Sequence, residues 1–433
     1  MLALNARRCR AVTVAAGLAA GLVLGAPAAP GWAVEDNLCE SVTSGTPATE
    51  AQGSSLPLEE LDVRAARTLV ERYAPRDQRP VRVAVLDSGV YGDVGGGGPI
   101  PIAERTSYTG HPELGYYHGT AVAGLIAGRE RPDGKPVGIA PDAEIVDVRV
   151  YDDAEPSDDA DPVDAPTLAD GLEWVATHAD DLNIRVANVS LAVRDVGGVE
   201  EAVQDVRDAG VIVVASSGNR PQEGDEFDAD FADAGDAAGI HGEDAGPLLF
   251  PAGYDGVVTV NSTDAGDEGS SLVDQVLKNS RTVVAVPTYG AISYGLNGAT
   301  CTVGPIATSW AAAEVSGVLA LLWQRYPEDT AKQILARLVY TASGTTADPT
   351  PLTGAGVVQP VEALTRPLDP SRRGAVEGAT TRDRGAEVRA TAPEPEPDVL
   401  ASMRDDAVWW GLIGGGTLVV ALLLRPVLAR RRP

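Results

Sequence analysis

Positive charge is what this sequence lacks most. It has 34 lysines and arginines against 62 aspartates and glutamates, so its formal net charge is −28 over 433 residues. Such a chain is repelled by phosphate, which argues against a nucleic-acid partner and leaves a solvated acidic surface as the plain reading. Two acidic stretches, 151–166 and 223–246, lack the spaced oxygen ligands and the fixed glycine of a calcium loop, so they read as solvated loops and no metal or other cofactor is expected. Internal repeats and an aromatic binding strip are also missing, which disfavours a wall-binding adhesin. Histidine is scarce, at four residues, so each can be weighed singly.

What the chain does have begins with two apolar segments. Arg7, Arg8 and Arg10 precede the apolar run 11–26, and small residues follow. This reads as a signal peptide over 1–33, cut after Ala28 or Ala33. The second run, 407–424, is uncharged and just long enough for a hydrocarbon core of ~30 Å. Trp409 and Trp410 stand at one end, and Arg425 with Arg430 to Arg432 at the other. By the positive-inside rule the basic end is cytoplasmic. The expectation is a single-pass protein of the cell membrane with its main domain outside the cytoplasm. Cys9 leaves with the signal peptide, so Cys39 and Cys301 remain as an even pair in an oxidising compartment. A disulfide between them is the economical reading, and two free thiols the alternative.

Between these segments the layout is an N-terminal arm and helix (34–79), a large domain (80–366), a Pro/Glu/Arg-rich linker (367–405), the span (407–424) and a basic tail (425–433). Helical spacing runs over 56–74. Apolar strands at 81–89, 143–150, 184–191 and 211–216 alternate with helices after His118, at 168–179 and at 199–210. Longer helices follow at 309–325 and 330–342. That alternation predicts an α/β fold with a mostly parallel sheet covered on both faces.

Three pieces carry chemistry. "VAVLDSG" puts Asp87 at the carboxyl end of a strand, "HGTAVAGLIAG" puts His118 at a helix start, and "ATSWAAAEVSGVLALL" puts Ser309 at another. Strand ends and the following helix starts line one edge of a parallel sheet, so the three can converge. The order Asp, His, Ser is that of subtilisin. With "VGIAPDAEIVDVRV", "VASSGN", "FPAGYDGVVTVNST" and "GVLALLWQRYP", the chain resembles the subtilisin-like serine proteases (subtilases) from about residue 80 to 345.

The resemblance implies a three-layer subtilisin-like domain and a serine endopeptidase acting on protein or peptide substrates. It implies a nucleophile at Ser309, a base at His118, an orienting carboxylate at Asp87 and an oxyanion donor at Asn219. Substrate would pair with Ser190, Leu191 and Ala192, and with Ser217 and Gly218. Ala192 stands where the family has glycine, which implies a preference for small side chains before the scissile bond. The peptide bond before Pro251 resembles one that is often cis in the family. His111, His178 and His241 read as surface residues. Too few residues precede the Asp87 strand for a compact pro-domain. With the C-terminal span this resembles the mycosins, membrane-anchored subtilases of type VII secretion systems, and implies partner subunits in a membrane-embedded secretion complex.

Departures from the family cluster at the nucleophile. Ala307 replaces a glycine, and strain of roughly 1 kcal/mol follows if the position needs positive φ. Ala313 replaces a proline and lets the helix run straighter. Glu314 is expected to face outward, and Tyr117 stands where an acidic or small residue is usual. "VPTYG" (286–290) replaces the usual Ala-Pro-Gly. Two readings follow: an active endopeptidase, or a degenerate protease domain serving as a structural part of a secretion complex.

Overall fold

In the computed structural model the described residues are 37–153, 160–222, 225–231, 243–263, 271–376 and 401–429. The expected signal peptide, most of the linker, residues 430–433 of the basic tail and His241 lie outside them.

Seven parallel strands form the main sheet. They are β1 (Arg82–Asp87), β2 (Ile102–Ser107), β3 (Glu144–Arg149), β4 (Ile184–Val189), β5 (Ile212–Ser216), β6 (Val258–Ser262) and β7 (Thr282–Val286). Their order is β2-β3-β1-β4-β5-β6-β7. Successive connections leave β1 toward one edge and then cross back to β4, so the sheet has its topological switch point between β1 and β4. In such sheets the crevice for ligands opens there, at the strand carboxyl ends. A two-stranded antiparallel hairpin, β8 (Ile292–Tyr294) with β9 (Thr300–Thr302), stands apart from this sheet.

The strands are apolar on both faces because helices cover both. In β1, Val83 and Val85 enter one core and Ala84 and Leu86 the other. The first core is closed by helices α2 (Val63–Tyr73), α3 (His118–Ala127), α7 (Thr308–Arg325), α8 (Ala331–Thr341) and α9 (Pro360–Thr365). The second is closed by α4 (Ala165–Leu182) and α5 (Val199–Asp208). Short helices α1 (Leu56–Glu60) and α6 (Asp228–Phe231) complete this unit. The helix expected over 56–74 is broken in two, because Asp62 adopts a left-handed conformation at φ 48°.

Helix α7 decides the position of the site. Every residue from Thr308 to Gln324 is buried, so it is wrapped on all sides rather than amphipathic. Glu314, expected to face outward, is fully buried, since α7 has no solvent side at that point. Ala307 is extended, at φ −149° and ψ 148°, and carries no left-handed strain. Past Ala313 the helix runs unbroken to Arg325.

The arm is fastened to the hairpin. Cys39 and Cys301 form a disulfide, Thr302 N–H donates to Asn37 O at 2.9 Å, and Leu38 bridges to Thr302. Residues 380–433 form a separate unit, whose described part is helix α10 (Ala401–Ala429). Among the described residues no helix is long and apolar enough to cross a membrane.

Candidate active site

Asp87 ends β1 and is fully buried. His118 opens α3, and its Nδ1 lies 2.8 and 3.0 Å from the two carboxylate oxygens of Asp87. A carboxylate only accepts, so Nδ1 carries the hydrogen and Nε2 is left as the proton-accepting nitrogen. Close approach of two backbone turns makes this pair possible. A Cβ on Gly119 would fall 2.6 Å from Gly89 O and 3.2 Å from Asp87 Cβ, so only glycine fits after the histidine. Gly119 N–H donates to Ser88 Oγ at 3.0 Å, and Tyr91 N–H to Thr120 Oγ1 at 2.9 Å, which stitches the turn after β1 to the start of α3.

Three aromatic rings surround the imidazole, with Tyr117 edge-on at 6.5 Å. Tyr116 lies parallel to it, with centroids 5.9 Å apart and planes 5° apart. Trp310 lies 5.0 Å away and is fixed by its Nε1–H, which donates to Pro305 O at 2.9 Å. The Tyr151 hydroxyl, just past β3, donates to Asp87 Oδ1 at 2.9 Å. Burial holds the hydroxyls of Tyr116 and Tyr151 well above the usual tyrosine range, and pushes Tyr117 up to about 12, with Glu40 adding to the last shift.

Ser309 sits in the first turn of α7 and is bound reciprocally to Ser190. Its hydroxyl donates to Ser190 O at 3.1 Å, and Ser190 Oγ donates to Ser309 O at 3.0 Å. Asn188 in turn donates to Ser190 Oγ at 2.9 Å and accepts from Ser316 at 3.0 Å, which ties α7 to β4. The single proton of Ser309 is therefore directed at a backbone carbonyl and not at the imidazole.

Asn219 faces the same helix start. Its Oδ1 accepts from Thr308 N–H at 2.7 Å and from Thr308 Oγ1 at 3.0 Å. A backbone N–H only donates, so the facing atom is the amide oxygen and the NH2 group is turned the other way. Gly218 N–H donates to Thr308 Oγ1 at 3.2 Å, with Gly218 at φ 123°. Ser217 is buried, its carbonyl held by Asn279 Nδ2 at 2.8 Å.

Leu191 and Ala192 continue past β4. Ala192 packs against a small apolar cluster of Phe231, Ala245, Leu249 and Leu277. Leu249 also backs the 217–219 turn, since a Cβ on Gly218 would fall 2.4 Å from Leu249 Cδ1. The Phe250–Pro251 bond is cis, as is Gly304–Pro305.

Of the other histidines, His178 is half-buried on α4 and stacks on Trp174 at 4.2 Å. His111 is half-buried too, and with Asp152 and Asp161 it brings three metal-ligating atoms within 4.8 Å of one another. Arg149 already pairs with Asp152 at 2.5 Å, and this positive charge opposes a cation there.

Sequence reasoning missed Tyr116, Tyr151, Thr308 and Trp310. Tyr151 was within reach of the same rule that located Asp87, because it follows the carboxyl end of β3, the neighbour of β1. The others touch the site through loop or side-chain geometry that no spacing encodes.

The subtilase family model matches residues 78–359. The chain belongs to the subtilase family. This subtilase is 31% identical over 278 residues to mycosin-1 of Mycobacterium tuberculosis, an alignment covering 58% of the chain and 61% of the relative. It is 30% identical over 297 residues to subtilisin Savinase of Lederbergia lenta, covering 66% of the chain and 91% of that protein. Among solved structures it is similar to the serine protease MycP1, described as an essential component of the type VII (ESX-1) secretion system. That match has 26% identity and a TM-score of 0.55, over 76% of this chain and 92% of the other. The match to mycosin-1 thus spans under two thirds of that relative's length.

Proposed function

We propose that this chain is a serine endopeptidase held at a membrane, with its protease domain on the extracytoplasmic side. The carrying observation is the buried Asp87–His118 pair at the same sheet edge as Ser309, with Asn219 oriented by Thr308. In this reading His118 Nε2 takes the proton from Ser309 Oγ as that oxygen attacks the scissile carbonyl. Asp87 holds the tautomer and stabilises the imidazolium. The oxyanion accepts from the Asn219 NH2 and the Ser309 backbone N–H. His118 then passes its proton to the leaving amine, whose departure leaves an acyl-Ser309 ester. Water, deprotonated by the same imidazole, hydrolyses that ester. The Ser309 hydroxyl must first leave Ser190 O. An extended substrate whose backbone N–H takes that carbonyl would release it.

Membrane attachment rests on the sequence alone, in which the uncharged run 407–424 would be about 27 Å long as a helix. The basic residues after it favour a cytoplasmic C-terminus. Similarity to MycP1 supports subunits of a membrane-embedded secretion complex as partners.

The second reading is a structural subunit without catalysis. It is favoured by one observation, the Ser309 hydroxyl turned to Ser190 O. A fluorophosphonate probe on the purified chain separates the two. Labelling that is lost in Ser309→Ala supports the enzyme, and a folded chain that takes no label supports the scaffold.

A further inference from the structure

We propose that Tyr151 is a positioning residue for the Asp87–His118 pair, drawing part of the Asp87 charge away from the imidazole and so setting the pH at which His118 takes up a proton. Its consequence for catalysis rests on the serine-protease reading above, whereas the effect on His118 does not.

Three donors crowd one oxygen of Asp87. Asp87 Oδ1 accepts from Ser88 N–H at 2.8 Å, from His118 Nδ1 at 2.8 Å and from the Tyr151 hydroxyl at 2.9 Å. Oδ2 accepts from His118 at 3.0 Å. The Tyr151 oxygen also lies 3.3 Å from His118 Nδ1. With a hydrogen on Nδ1, that nitrogen cannot accept, so the tyrosine proton goes to Asp87. Burial keeps the Tyr151 hydroxyl protonated, and therefore a donor, at any working pH.

Tyr151 has little freedom to do otherwise. It is 2% exposed and packs with Leu168, Leu172 and Val150 in the second core. The residue before it is pinned to the same aspartate, since Val150 N–H donates to Asp87 O at 2.9 Å. A buried tyrosine needs an acceptor somewhere, and a purely structural role would end there. The shared oxygen adds something more. A donor on a carboxylate stabilises its charge and weakens its pull on a neighbouring cation. The bonds from Ser88 N–H and the Tyr151 hydroxyl to Oδ1 therefore reduce what Asp87 gives the imidazolium.

The other ionisable groups facing this pair come from several elements. Tyr116 and Tyr117 precede α3, Glu40 comes from the arm, and Asp153 follows Tyr151. Trp310 of α7 faces the imidazole without charge. Removing one hydroxyl oxygen changes none of these, so its effect on His118 can be isolated.

The test uses the full chain, with Tyr151→Phe as the main variant and Tyr151→Leu as the alternative should that variant fold poorly. With carbon-13-labelled histidine, the imidazole Cε1–H resonance of His118 is followed against pH, assigned by its loss in His118→Gln. The expected result is a midpoint raised by about half a unit or more in the variant. The acid limb of kcat/KM on a peptide ester should move with it. A midpoint that stays in place or falls in the folded variant overturns the proposal. Were the wild-type chain inert to ester and fluorophosphonate, the protease reading would fail while the resonance midpoint still decided the role of Tyr151.

Discussion

Asn219 and Thr308 hold each other by two hydrogen bonds, from Thr308 N–H at 2.7 Å and from its hydroxyl at 3.0 Å, both to the amide oxygen. The residue before the proposed nucleophile thus orients the proposed oxyanion donor. Asn219→Ala should lower kcat by about 10²- to 10³-fold, or ~3–4 kcal/mol, with little change in KM. Thr308→Ala keeps the backbone bond and should cost only about tenfold. Steady-state kinetics on one peptide substrate would rank the two, and equal losses would mean that the hydroxyl, not the backbone, orients Asn219.

Asp147 carries a pH signature. Burial raises its carboxyl to about 6, against the opposing pull of Arg105 at 2.7 Å. The folded state then binds this proton more tightly than the unfolded chain does. Its contribution to stability is present below about pH 4 and is lost as pH rises through about 6. Relative to Asp147→Asn, the wild-type chain should lose about 2 kcal/mol between pH 4.5 and pH 7. Urea unfolding of both proteins at pH 4.5 and pH 7 measures it, and a constant difference between them would refute the assignment.

The Cys39–Cys301 bond joins residues 262 apart in sequence and holds the arm on the hairpin. Its loss in Cys39→Ser should destabilise the domain by about 2–5 kcal/mol. Thermal unfolding with and without reductant checks this, with the variant expected to be indifferent to the reductant.

Specificity should answer to two side chains. Ala192 packs in a cluster with Leu249, and Leu249 also backs Gly218. Ala192→Gly and Leu249→Ala should each shift a peptide-library profile from small toward bulky residues before the cut, by about 10-fold in kcat/KM or more. A wild-type preference for large aromatics would remove the basis of this prediction.

Ala307 needs no glycine. At φ −149° it is ordinary extended backbone, so Ala307→Gly should only add entropy to the unfolded chain. The expected loss is ~0.4–1 kcal/mol in denaturant unfolding, with kcat/KM unchanged. A gain in activity would mean that the alanine methyl, rather than the backbone angle, obstructs the cleft.

Much of the fold was legible because β1, β3, β4 and β5 are buried on both faces and read as apolar runs. The edge strand β2, "IAERTS", is half-exposed and lacks that signature. The break at Asp62 was hidden, since nothing in the apolar spacing of 56–74 marks a left-handed residue. The positions of Asp87, His118 and Ser309 were legible because strand ends and helix starts of a parallel sheet share an edge. The place of Tyr151 at that edge follows from the same rule, but its bond to Asp87 was hidden, because the partner lies 64 residues away and the pairing needs the β1–β3 register. Glu314 misled because a carboxylate normally marks a solvent face, and α7 has none there.

The complete enclosure of α7 bears on how a lineage of such chains could lose its chemistry. The helix that presents Ser309 is also the central pillar of the first core, so its small residues must persist whether or not any bond is ever cut. Survival of the segment around Ser309 is therefore weak testimony to activity. His118 and the amide of Asn219 bear less of the fold's weight, and decay would register there first.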